Sequence, residues 1–239
     1  MESLFFRKGT QDEVIFRKVL EENEYHLPDS INPDDIIIDI GTHIGGFTYA
    51  CLQRGAKKIY SYEAYNENYE VAKINLDAGI KKGYVNLHNL AVWRSDYTIE
   101  QLPITKSDDS TNTGGGSVVW DGKENLIKTI SLDEILGSIG RVTLLKLDCE
   151  GAEYPILLTS KKLALVDYIC GEYHNTNVGT AAIVNGKKSF NRNDLGTHLK
   201  NQGFDCAFLQ TNSQLGLFFA RKKHKRTFFK GVKFKWWIW

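Results

Sequence analysis

Two short segments hold side chains that could move protons: Lys146, Asp148 and Glu150 in KLDCEGAE, and Glu172 and His174 in GEYHN. An imidazole titrates near neutral pH and can take a proton from a hydroxyl if the two are held within hydrogen-bond reach. His174 is therefore the first candidate for a general base. Asp148 could orient it or take the proton itself, and Glu172 and Lys146 complete the catalytic set. The plainer alternative for His174 is a hydrogen bond across loops. Asp148, Glu150 and Glu172 could instead gather a divalent cation such as Mg2+, whose hard charge favours carboxylate oxygens. Glu150 and Glu153 sit in a turn entering a helix, where acids ordinarily cap the helix or face its dipole.

A second constellation lies upstream, in IIIDIGTHIGGFTYACLQRGAKKIYSYE, residues 36–63. It reads as a strand, a glycine-punctuated turn, a helix and a second strand that ends on Glu63. Gly41 and Gly45 let the backbone turn sharply and approach a ligand at a helix start. A carboxylate about 20 residues beyond such a turn can accept hydrogen bonds from both hydroxyls of a ribose. The dinucleotide turn needs glycine where His43 stands, so a pyrophosphate fits poorly. Asp39 adds a carboxylate beside the turn, which suits a cationic, phosphate-free nucleoside, and S-adenosylmethionine is such a ligand. The expected cofactor-binding set is Asp39, Gly41, His43, Gly45, Glu63, Ala91 and Asp148.

These residues need elements to carry them. Apolar Val14, Ile15, Val19 and Leu20 place a helix in residues 11–24. Strands are expected at 36–40, 58–62, near 84–92, at 144–148 and at 166–172. Helices are expected at 45–54, 66–78, from about Ala152, and at 194–201, with a terminal hairpin from 205–209 and 215–221. Alternation of this kind makes a doubly wound, mostly parallel sheet, which binds ligands beyond the carboxyl ends of its strands. Asp148 and His174 can then meet at one atom if their strands, about 4.8 Å apart, are neighbours. Residues 96–125 are polar and read as hairpin or loop, with Gly114, Gly115 and Gly116 as a mobile lid or a rigid turn against the cofactor. Trp93 and Trp120 are either core or flat surfaces for a sugar ring, with core preferred.

The net charge of +1 hides an asymmetry. The last 19 residues hold eight Lys or Arg and no acid, leaving 22 basic and 29 acidic side chains before them. Phe228, Phe229, Phe234, Trp236, Trp237 and Trp239 lie in the same stretch, and cations interleaved with aromatic rings suit an anionic membrane surface. The alternatives are a tail packed on its own domain or on a twin subunit of a homo-oligomer, and a nucleic-acid-binding tail, which is not expected. No apolar run reaches the ~20 residues that span a bilayer, and the start, MESLFFRKGTQDE, has no long apolar stretch with a small-residue cleavage site, so secretion is not expected. Four scattered cysteines suggest reduced core thiols. A cytoplasmic protein, peripheral to the inner face of a membrane through its tail, is the expectation. The expected division is an N-terminal helical extension (1–35), a catalytic domain (36–222) and the tail (223–239).

The succession DIGTHIGG, SYE, NTGGGSV, ISLDEI, LLKLDCEGAEY and GEYHN resembles the FkbM-type methyltransferases, a branch of the class I S-adenosylmethionine-dependent enzymes. The resemblance covers residues 36–220, and its most specific piece is Lys146 to Glu153. It implies a seven-stranded sheet with an antiparallel last strand, the cofactor on the first half and the acceptor over the second. It also implies methyl transfer to a hydroxyl of a saccharide or natural-product-like acceptor. His43 stands where the family usually has Asn, and Ala64 where Pro usually follows the ribose acid. Two rivals are a NAD(P)-dependent oxidoreductase, which shares the ribose acid, and a non-catalytic binding protein on the same fold.

Overall fold

A computed structural model describes residues 4–105, 111–114, 117–118, 126–175, 183–226 and 228–233. Its elements run, in chain order, α1 (Asp12–Leu20), β1 (Ile36–Ile40), α2 (Gly46–Gln53), β2 (Lys58–Tyr62), α3 (Asn66–Asn75), α4 (Asp77–Lys81) and β3 (Val85–His88). Then follow β4 (Ala91–Trp93), β5 (Gln101–Thr105), β6 (Ser117–Val118), β7 (Leu126–Ser131), α5 (Leu132–Ile139) and β8 (Val142–Leu147). The chain continues through α6 (Glu153–Thr159), β9 (Val166–His174), α7 (Arg192–Asn201), β10 (Phe204–Gln210) and β11 (Leu215–Lys222).

Seven strands form one sheet in the order β3, β2, β1, β8, β9, β11, β10. The pairs from β3 to β9 are parallel, and β11 runs antiparallel to both of its neighbours. This is the doubly wound, seven-stranded sheet with an antiparallel last strand that the sequence led us to expect. β1 is central because Ile37, Ile38 and Ile40 are apolar toward both layers, and all three are buried. Since β8 and β9 are neighbours with Leu147 opposite Gly171, Asp148 and His174 reach the same sheet edge.

Two readings need correction. The single strand expected near 84–92 is two: β3 ends at His88, and β4 leaves the main sheet to pair with β7 in a smaller sheet ordered β4, β7, β5, β6. Asn89 sits at the break, where its side-chain amide donates to the carbonyls of Glu63 and Ala64. The strand β7 and helix α5 went unread. The helix start is nonetheless written in the sequence, because Ser131 and Glu134 form a reciprocal capping box. Within the polar stretch, β5 and β6 pair as an antiparallel hairpin. Gly115, Gly116 and Trp120 lie outside the described residues, and Trp93 is core.

The extension and the described part of the tail pack on the sheet. Phe229 is buried against Tyr168 and Phe219, and the Tyr168 hydroxyl donates to the Arg226 carbonyl. Lys230 is bound to the extension: its N–H donates to the His26 carbonyl, and its ammonium meets Asp29 at 2.7 Å. Of the six tail aromatics, Phe228 and Phe229 therefore face the protein, while Phe234 and the three tryptophans lie outside the described residues. Among the described residues no helix is long and apolar enough to cross a membrane. All four cysteines are free, three of them buried.

Candidate active site

A cleft of about 620 Å3 opens over the carboxyl ends of β1, β2, β8 and β9, within the usual size range of small-molecule sites. Gly41, His43, Glu63, Ala91, Asp148, Glu150, Glu172 and His174 line it. At Gly41 φ is +76°, and a Cβ there would lie 1.8 Å from the Asp148 carbonyl oxygen. Glycine is thus required where the ends of β1 and β8 close on each other. Gly45, with φ of +98°, begins α2 from below and does not line the cleft.

The floor is a buried ion pair. Asp39 and Lys146 are register partners on β1 and β8, and their charges lie 3.2 Å apart with almost no exposure. Thr48 donates to the other Asp39 oxygen, and Lys146 donates to the Gly41 carbonyl at 2.7 Å. Burial pushes the Lys146 ammonium down, but Asp39 and Asp148 outweigh it and hold it above its ordinary value. This corrects two expectations. Asp39 holds Lys146 beneath the turn, and neither residue lines the cleft.

The cofactor end is fixed by backbone donors. Glu63 accepts from the His43 N–H at 2.7 Å and from the Tyr65 N–H at 2.8 Å, one on each oxygen. Each oxygen keeps a second lone pair, so a ribose diol still finds two acceptors. Burial pushes the Glu63 carboxyl up to about 7. Tyr62, Leu90, Ala91, Val92 and Ile104 supply apolar wall beside it. A carboxylate with two acceptor sites beside an apolar wall fits an adenosyl group.

The roof comes from the extension, which the sequence did not place at the site. Gln11, Ile15, Lys18, Glu24 and Tyr25 line the cleft. The Tyr25 hydroxyl donates to Asp148 Oδ2 at 2.8 Å. Deeper in, Arg7 grips the fully buried Asp12, and Thr113 donates to the same carboxylate at 2.6 Å. Thr113 Oγ1 lies 2.8 Å from His43 Nε2, and its carbonyl accepts from Asn68. Described residues of the glycine segment thus rest against the cofactor end. Burial holds the His43 imidazole down to about 4, with Asp12 opposing.

At the acceptor end the charges crowd. His174 Nδ1 is 3.3 Å from Glu153 Oε1, and its Nε2 is 3.4 Å from Glu150 Oε2 and 3.6 Å from Glu172 Oε2. Glu153 is fully buried at the start of α6 and accepts from the Cys149 N–H at 3.0 Å. That is the helix-entry role expected of it; Glu150, at φ +53°, turns toward His174 instead. Burial works against the His174 cation, yet Glu153 and Glu150 raise it to about 10. That upward shift works against its reading as the base, which needs a neutral imidazole. Glu172 is raised above the carboxylate range by burial and then by Asp148. Burial also lifts Glu150 to about 7. Asp148 is held down by Lys146 and His174 against its burial. The expected cation ligands also rearrange: Asp148 and Glu172 converge with His174, their ligand atoms within 4.8 Å of one another, and not with Glu150.

A family model described as the methyltransferase FkbM domain matches residues 39–203. No curated protein matches the sequence. Among solved structures, a precorrin-6y C5,15-methyltransferase from Geobacter metallireducens GS-15 is 10% identical, covers 91% of this chain and 93% of its own, and has a TM-score of 0.48. TrmK of M. capricolum, solved with S-adenosyl-homocysteine, is 10% identical over 90% of this chain and 70% of its own, with a TM-score of 0.48. EvdMO1 is 15% identical over 88% of this chain, with a TM-score of 0.46, and this chain spans 40% of its length.

Proposed function

The chain belongs to the methyltransferase FkbM family, and from that membership we propose that this S-adenosylmethionine-dependent methyltransferase methylates a hydroxyl of a saccharide or natural-product-like acceptor. The matched domain takes the place of the oxidoreductase and binding-protein rivals. When bound, S-adenosylmethionine supplies a sulfonium methyl, an electrophile whose C–S bonding pair stays on sulfur. Glu63 would hold the ribose end, with Gly41 and His43 of the turn lining the cleft beside it. The acceptor oxygen would sit over Asp148 and Glu172, form the new O–C bond with a lone pair, keep its O–H bonding pair as a lone pair, and pass its proton to Glu172 in its carboxylate form. His174, 3.6 Å from Glu172, favours the carboxylate form against burial, Asp148 and Glu150.

The observation that carries this reading is the convergence of Asp148, Glu172 and His174 at one end of the cleft, where a carboxylate can stand within reach of an acceptor proton. The same crowd of acids sets the acceptor's charge. Glu24, Asp148, Glu150 and Glu172 all line the cleft, so a phosphorylated or carboxylated acceptor would meet like charge, and a neutral polyol would not. Incubation with radiolabelled S-adenosylmethionine and host lysate, split into lipid, glycan and small-molecule pools, tests it. Label in an alkali-stable methyl ether of the glycan or small-molecule pool is expected. Label released as methanol by alkali, or carried on an amine, overturns the hydroxyl assignment.

A further inference from the structure

We propose that Asp148, Glu172 and His174 form a binding site for one divalent transition-metal ion, with Mn2+ as the fitting class, at the acceptor end of the cleft. The inference concerns the same end that the methyl-transfer reading gives to the acceptor, and rests on that reading only for its use.

Three features point to an ion. The first is spacing. The groups converge without closing on one another: His174 Nε2 stops 3.4 Å from Glu150 and 3.6 Å from Glu172, and the three ligand atoms stay within 4.8 Å. Charge-assisted hydrogen bonds close to about 2.7–2.9 Å. Donors held about 2.1 Å from a central ion instead stand roughly 3 to 4 Å from each other. The 3.6 Å between His174 and Glu172 falls in that range.

The second is the histidine itself. His174 is only 6% exposed, and its Nε2 end faces the carboxylates. Behind it the fully buried Glu153 holds one oxygen 3.3 Å from Nδ1, and its other oxygen has no partner. A carboxylate behind an imidazole is the arrangement that fixes a ring for metal ligation, setting the tautomer and pointing the far nitrogen outward.

The third is anchoring. Tyr25 holds one Asp148 oxygen at 2.8 Å, which leaves the other free to bind. Two carboxylates and one imidazole are too nitrogen-rich for Mg2+ and too oxygen-rich for thiolate-seeking ions, and they suit Mn2+. Binding would displace the His174 proton and engage Glu172, so with the ion present an acceptor hydroxyl at an open position toward the cleft would lose its proton through the metal's charge and not through Glu172.

Mn2+ alone, titrated into the full chain without cofactor or acceptor and followed by electron paramagnetic resonance, tests the site. One ion per chain is expected, with nitrogen coupling from a single imidazole in the spin-echo spectrum. Glu172→Gln and His174→Asn should each weaken binding at least tenfold, and His174→Asn should erase the nitrogen coupling. The exposed Glu22→Gln should change neither. Only weak, multiple binding to the parent protein, or an ion whose spectrum lacks nitrogen coupling, overturns the proposal without recourse to any variant. Equal affinity in folded Glu172→Gln does so as well. Because no methyl transfer is measured, failure of the acceptor assignment would leave these signals unchanged.

Discussion

Two histidines face one cleft and are held in opposite states. His43 at the cofactor end stays neutral, its pKa pressed to about 4, whereas His174 at the acceptor end is cationic, lifted to about 10. Both are mostly buried, so burial alone does not separate them. The neighbouring carboxylates do. Asp12, 3.8 Å from His43, is already committed to Arg7 and Thr113. Glu153 and Glu150, the carboxylates that lift His174, have no arginine among the described contacts. A carboxylate spent on a guanidinium builds structure; unspent ones keep an imidazole charged and await a ligand.

The contrast predicts that floor and cofactor-end changes act on stability and that acceptor-end changes act on turnover. The largest effect belongs to Lys146→Met, which strands the buried Asp39 charge and should cost about 3–5 kcal/mol in urea unfolding at neutral pH. Adding Asp39→Asn should recover part of the loss, since the pair costs less to remove together than to break. A loss below about 1 kcal/mol would mean that the pair behaves like an exposed one. Next is Gly41→Ala, which places a methyl against the Asp148 carbonyl at a positive φ. A cost of about 3 kcal/mol is expected, with weakened cofactor binding by calorimetry, because the turn and the end of β8 move together.

Glu172→Gln sharpens the other side. Turnover should fall about 10²-fold, roughly 2.7 kcal/mol of barrier, while calorimetric affinity for S-adenosylmethionine stays within about twofold. If cofactor affinity fell in step with turnover, the two ends would not be separable and the comparison would fail.

How much of this could be read from the chain depends on the reach of each contact. β2 was read with its observed bounds, and Glu63 at its tip with it, because a strand, a glycine turn and an acid are all local. Asp39 was misread for a physical reason: β1 is buried on both faces, so its apolar run does not say which way the acid points. The answer lay in its neighbour on β8, Lys146. The roof was missed because Tyr25 meets Asp148 across 123 residues and no motif marks it. The break after His88 was missed because residues 84–92 keep one apolar pattern while changing sheets.

The smallest effect at neutral pH, and the sharpest test of the neutral histidine, is His43→Gln. Since its pKa falls from 6.5 to about 4 on folding, the unfolded chain binds more protons between those values. The stability linked to His43 is therefore complete above pH 6.5 and lost as pH falls toward 4. Asp12, depressed to about 2, acts in the same direction but only below 3.8, so the two windows do not overlap. Glu63 and Glu150, both raised to about 7, act oppositely, losing stability as pH rises from 4.5. These contributions are common to parent and variant and cancel in the difference. The parent's urea midpoint should thus fall faster than the variant's between pH 6.5 and 4, and the two should agree near pH 7.5. Parallel profiles would show that His43 takes up its proton freely in the folded state, and the division of the cleft between a spent and an unspent carboxylate would lose its cofactor half.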